Sequence, residues 1–143
     1  MDTYDMLSRR RRFLLFVNGA AFALWQLAQL EALTSVIAAD TQLELISLLG
    51  AFIWISSLFL LLRFSPKNGL SENELAALND ELVRHNRLIG FQAGFFASIA
   101  MAGGLYMLAG YVSFFTRDVL ILVLVAGVCT AIFSFAWLEG RGD

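Results

Sequence analysis

Four stretches of this chain carry no Asp, Glu, Lys or Arg: Phe13–Leu30, Leu45–Leu62, Leu88–Phe115 and Val119–Leu138. At 1.5 Å per residue an 18-residue helix spans about 27 Å, close to the hydrocarbon thickness of a bilayer. Such runs, repeated along a short chain, restrict the fold severely. In lipid every backbone N–H and C=O must be satisfied inside the chain, which leaves helices or a closed barrel. Uncharged runs of this length without strict alternation select helices. Composition agrees, with 59% of the 143 residues hydrophobic and 15% charged. Soluble domains carry about 25% charged residues.

The expected fold is all-α: a single membrane domain over residues 1–143, an integral four-helix bundle with spans at 13–30, 45–62, 88–115 and 119–138. The first apolar run follows Arg9, Arg10, Arg11 and Arg12 and so resembles a signal peptide in outline. It is longer than a usual signal core and lacks a small-x-small cleavage pattern after it, so it is read as a span.

The long third stretch is preceded by a well-marked helix start. Ser71 with Glu74 fits a capping box, and Leu70 with Leu75 fits a hydrophobic staple. The break before it is Phe64-Ser65-Pro66-Lys67-Asn68-Gly69. Leu75, Leu78 and Leu82 then recur at helical spacing, while Arg84 and Arg87 stand on the polar side. This predicts an amphipathic cytoplasmic helix over 71–87 leading into the third span, with those five residues as a docking surface. Within the span, Gly90, Gly94, Ser98 and Ala102 form a ladder of small side chains every four residues, suited to close helix packing. Ala126, Thr130 and Ser134 suggest a second small face on the fourth span. Thr116-Arg117-Asp118 is expected as the tight turn between these two antiparallel neighbours.

Orientation follows from the basic residues. With four spans, Arg9, Arg10, Arg11, Arg12, Arg63, Lys67, Arg84, Arg87 and Arg141 share one side and Arg117 takes the other. Basic residues beside spans are retained in the cytoplasm, so both termini are expected there, in a bacterial inner membrane. The Arg9–Arg12 block is expected as a topological anchor, or more specifically as a site for anionic lipid headgroups or a partner.

Chemistry is sparse. One cysteine, Cys129, excludes an internal disulfide, and one histidine, His85, excludes a two-histidine haem or metal pair in one subunit. No HExxH, P-loop or GxSxG pattern occurs. No catalytic, cofactor or metal residue is assigned, and a net charge of −2 gives no reason to invoke nucleic acid. Small four-span multidrug exporters match in length but use a membrane-buried carboxylate in their first span, where this chain offers Asn18 and Gln26. Asn18, Gln26 and Glu31 are the residues a transport path would use.

Leu78-Asn79-Asp80-Glu81-Leu82 through Arg87, then a Gly/Ala-rich span ending Ala136-Trp137-Leu138-Glu139, resembles small four-span inner-membrane proteins of alphaproteobacteria. The likeness covers mainly residues 75–140. It implies no activity; some of those proteins are paired with a helix-turn-helix regulator, which implies membrane tethering as one option. The expected role is therefore an accessory or regulatory subunit that contacts a membrane-protein partner, copies of itself or a cytoplasmic regulator, in addition to lipid. A reporter fused after Asp143 is expected to be active only in a form that works in the cytoplasm; activity restricted to the outer side would reverse the assigned orientation.

Overall fold

The computed structural model describes residues 3–30, 40–62 and 81–140. Four α-helices account for nearly all of them: α1 (Thr3–Leu27), α2 (Asp40–Leu62), α3 (Glu81–Leu108) and α4 (Thr116–Glu139). The chain's single proline, Pro66, lies outside all four, which leaves each backbone ladder uninterrupted. The capping box, the proline-containing break, Leu75, Leu78 and Glu31 lie outside the described residues.

Among the described residues three helices are long and apolar enough to cross a membrane, over Leu43–Leu61, Val83–Leu108 and Thr116–Glu139. α1, expected as a fourth, does not join them. It begins well before the apolar run, so Arg9–Arg12 are helical residues, and it ends at Leu27. The chain then tightens through Gln29 N–H to Gln26 O at 3.1 Å and Leu30 N–H to Leu27 O at 3.2 Å. The apolar part of α1 is thus Phe13–Leu27, about 22 Å of helix.

The helices form an open row, α2–α1–α4–α3, in place of a closed bundle: α1 packs on both α2 and α4, and α3 packs on α4. Neighbours run antiparallel. Asn18 meets Ser57 while Trp25 meets Gly50; Arg11 meets Glu139 while Gln29 meets Arg117. On the other side of α4, Gly90 lies against Ala131 and Phe135, and Gly94 against Gly127 and Ala131. Arg9–Arg12, Arg84, Arg87 and Glu139 therefore share one end of the row, and Arg117 stands at the other.

The connection between α3 and α4 sits earlier than the sequence suggests. α3 stops at Leu108, the backbone turns at Ala109–Tyr111, and Thr116, Arg117 and Asp118 form the first turn of α4. Asp118 is buried there, where its charge suits the positive end of the helix dipole.

The core is thin. Its buried apolar members are mostly small or medium-sized, including Ala21, Cys129 and Ala136, and no large side chain is wholly enclosed. Phe52, Phe59, Phe91, Phe95 and Phe96 are each more than 60% exposed. Apolar exposure on this scale would promote aggregation in water and is the normal outer surface of a helix in lipid.

Lipid gives helices no hydrophobic reason to associate, so close backbone approach and interhelical hydrogen bonds must do it. Both occur here. A Cβ at Gly94 would stand 2.5 Å from Gly127 O and 2.7 Å from Ala131 Cβ, so only glycine permits the α3–α4 separation. The Asn18 amide, buried between α1 and α2, donates to Ser57 Oγ at 2.9 Å and Trp54 O at 3.3 Å. Ser57 in turn donates to Trp54 O at 2.8 Å. Around it Trp25 stacks near Trp54, ring centroids 5.2 Å apart, with Phe22 5.8 Å from Trp54. Gly94→Leu is expected to force α3 off α4 and cost about 3 kcal/mol or more, read from unfolding in an SDS titration of the detergent-solubilised protein.

Candidate functional site at the arginine end of the row

α4 ends with an acid where a helix prefers a base. Glu139 occupies its last turn, which contains no Lys, Arg or His, and it is buried. A carboxylate there faces the negative end of the dipole and needs a cation from elsewhere. α1 supplies it: Arg11 donates from Nε to Glu139 Oε2 at 3.2 Å and from Nη2 to Oε1. This two-pronged geometry suits the planar guanidinium, and the pair ties α1 to the end of α4.

Two further arginines converge on the same turn. Arg12 passes so close to Gly140 that a Cβ there would lie 2.6 Å from its guanidinium nitrogen. From α3, Arg87 lies over the Phe135 ring at 5.9 Å, and Arg11 lies over the same ring at 6.0 Å. A cation over an aromatic face is attracted by the ring's quadrupole. One phenyl ring on α4 thus receives guanidinium groups from both neighbouring helices.

Below this ring runs a groove of about 230 Å³, lined by Leu15, Arg87, Phe91, Ala131, Ile132 and Phe135. α4 forms its floor, and α1 and α3 its walls. A shallower hollow of about 340 Å³ follows the α3–α4 seam past Gly94, Ser98 and Gly127.

The residues singled out in the sequence are distributed as follows. Arg9 and Arg10 are exposed, whereas Arg11 and Arg12 are partly covered and turn toward α4. Arg84 and Arg87 are exposed on α3, and Leu82 lies in its first turn. Gly90 and Gly94 are buried against α4; Ser98 packs on Gly127 and donates to Gly94 O at 3.1 Å. Ala102 is exposed. The structure therefore brings Arg11, Arg12 and Arg87 together and places the small-residue ladder on a different part of α3.

Asn18 is engaged with α2, Gln26 is half-buried, and Gln29 accepts a hydrogen bond from Arg117 at 3.0 Å. The Cys129 thiol lies buried at the α1–α4 crossing, directed at Gly19 O at 3.5 Å. Among the described residues no cluster of His, Cys, Asp and Glu could hold a metal ion.

Sequence reasoning missed Glu139 and Phe135. The signal for Glu139 was present: an acid directly ending an uncharged span, at a helix C-terminus, asks for a partner. Also missed was the face of α4 that α3 uses, which runs through Gly127 and Ala131, one position from the expected Ala126 and Thr130.

Comparison with known proteins yields no relative: no family model, no curated protein and no solved structure matches the chain.

Breaking the Arg11–Glu139 pair leaves one charge without its partner in a partly dehydrated place. Arg11→Met and Glu139→Gln are each expected to destabilise by roughly 3 kcal/mol, and Arg11→Met/Glu139→Gln together by less than the sum. A double-mutant cycle in detergent measures the coupling; strict additivity would mean the pair does not hold α1 to α4.

Proposed function

We propose that this chain is a four-span subunit of a bacterial cytoplasmic membrane, with both termini inside, that works by contact and not by chemistry of its own. It packs against a larger membrane protein or against further copies of itself. In this reading α1 is the fourth span, its short apolar part completed by the interfacial arginines at one end. Orientation is supported by Arg9–Arg12, Arg84 and Arg87 sharing that end of the row.

One observation carries the contact role. Gly103 and Gly104 are adjacent in α3, both exposed, and a Cβ on either would meet nothing among the described residues within 4 Å. Glycine inside a helix is less favourable than alanine by about 1 kcal/mol. At Gly94 that cost is offset by the approach of α4. At Gly103 and Gly104 nothing among the described residues uses the space, and a helix from outside the chain can approach the α3 backbone there, flanked by exposed Phe96 and Tyr106. Asn18, by contrast, is spent on joining α1 to α2, which favours the contact role over a transport path.

Purification in mild detergent with mass spectrometry of what accompanies the chain tests this. A stoichiometric integral membrane protein, or a defined homo-oligomer, is the expected result. Gly103→Leu/Gly104→Leu should weaken that association about tenfold while leaving helicity and the unfolding midpoint of the isolated chain in place. Undiminished association would remove this face from the proposal. A soluble DNA-binding protein in the eluate would point to the regulator-tethering role instead.

A further inference from the structure

We propose that the groove between α1 and α3 is a binding site for one anionic phospholipid, with an acyl chain along its apolar wall and the headgroup phosphate on Arg87. The site is independent of any protein partner.

Its shape selects a chain and not a helix. A helix with its side chains is about 10 Å wide, whereas the groove holds about 230 Å³ and is walled by Leu15, Phe91, Ile132 and Phe135. Among the described lining residues Arg87 alone is charged, so the groove has an apolar length and a cationic margin. That is the division of a phospholipid into tail and headgroup.

The sign of the headgroup follows from the surroundings. Arg9, Arg10, Arg11, Arg12, Arg84 and Arg87 stand at this end of the described helices, against the acidic residues Asp5, Glu81 and Glu139. Arg11 is engaged with the Glu139 carboxylate. Arg87 keeps its guanidinium over Phe135 and is itself exposed, so a headgroup at the margin of the groove can reach it. Arg84, one turn nearer the water on the same helix, is also exposed. Basic pockets between spans on the cytoplasmic side have this composition when they take anionic headgroups. A zwitterionic headgroup would bring its own cation into an already cationic margin.

Native mass spectrometry of the full chain in detergent, titrated with dioleoyl phosphatidylglycerol, dioleoyl phosphatidylcholine or inorganic phosphate, tests the site. One phosphatidylglycerol per chain should be retained, at least fivefold more tightly than phosphatidylcholine, with no adduct from phosphate alone. Arg87→Gln should lower phosphatidylglycerol affinity about fivefold. Arg9→Gln removes the same charge from outside the groove and should lower the affinity by less than about twofold. Circular dichroism and gel filtration establish that both variants remain folded. Equal losses for Arg87→Gln and Arg9→Gln would mean diffuse attraction and overturn the site. So would equal binding of the two lipids, full competition by phosphate, or a protein dimer that excludes lipid.

Discussion

The fold depends on how closely α3 and α4 approach. Lipid removes the usual hydrophobic reward for helix pairing, because a leucine against a lipid tail is as content as one against a leucine. What remains is dispersion between surfaces that fit, and this is strongest where backbones nearly touch. Gly94 and Gly127 face each other with Ser98 seated between turns, and Ala131 and Gly90 extend the seam toward the arginine end. α4 reaches α1 with a different face, at Cys129, Ile132 and Phe133, where Gly19 opens the space. One helix with two such faces makes a row. α2 and α3, each with one substantial neighbour, stand at its two margins.

Small-residue contact sets distance but leaves sliding and rotation loosely determined. Polar pairs at three depths remove that freedom for α1. Arg11 with Glu139 fixes one end, Asn18 with Ser57 the middle, and Gln29 with Arg117 the other end. Their weights differ. The Gln29–Arg117 bond is exposed and competes with water, whereas Asn18 and Ser57 are buried and have little else to bond. No buried side-chain polar atom among the described residues lacks a partner, so α1 satisfies its polar groups by holding one register.

Helical character and the pairing of α3 with α4 were legible because both follow from local pattern: uncharged length for one, a connection too short for anything but a hairpin for the other. The limits of each helix were less legible. Leu88–Phe115 reads as one span since no charge interrupts it, yet the chain turns at Ala109–Tyr111, where Gly110 stands and Tyr111 N–H closes a tighter turn onto Leu108 O. Thr116 and Asp118 look like turn residues and are also good first-turn residues, and sequence alone does not separate the two uses. Glu139 looked like a tail because hydropathy ends at Leu138. Its role depends on Arg11, which is 128 positions away, and no local window contains that fact.

The arginine block shows what a helix does to a run of like charges. Arg9, Arg10, Arg11 and Arg12 look like one cationic anchor when read as a string. In a helix successive residues turn by about 100°, so four in a row cover most of the circumference and cannot act on one surface. α1 extends through all four. Arg11 and Arg12 therefore meet α4, where they answer Glu139 and crowd Gly140, while Arg9 and Arg10 are left to the exposed side. The same residues that orient the chain across the membrane thereby also set which side of α1 faces α4. A change of one helical position in that run would replace one member of the packed pair, setting Arg10 and Arg11 or Arg12 and Phe13 toward α4, and would turn the groove wall at Leu15 away from Phe135.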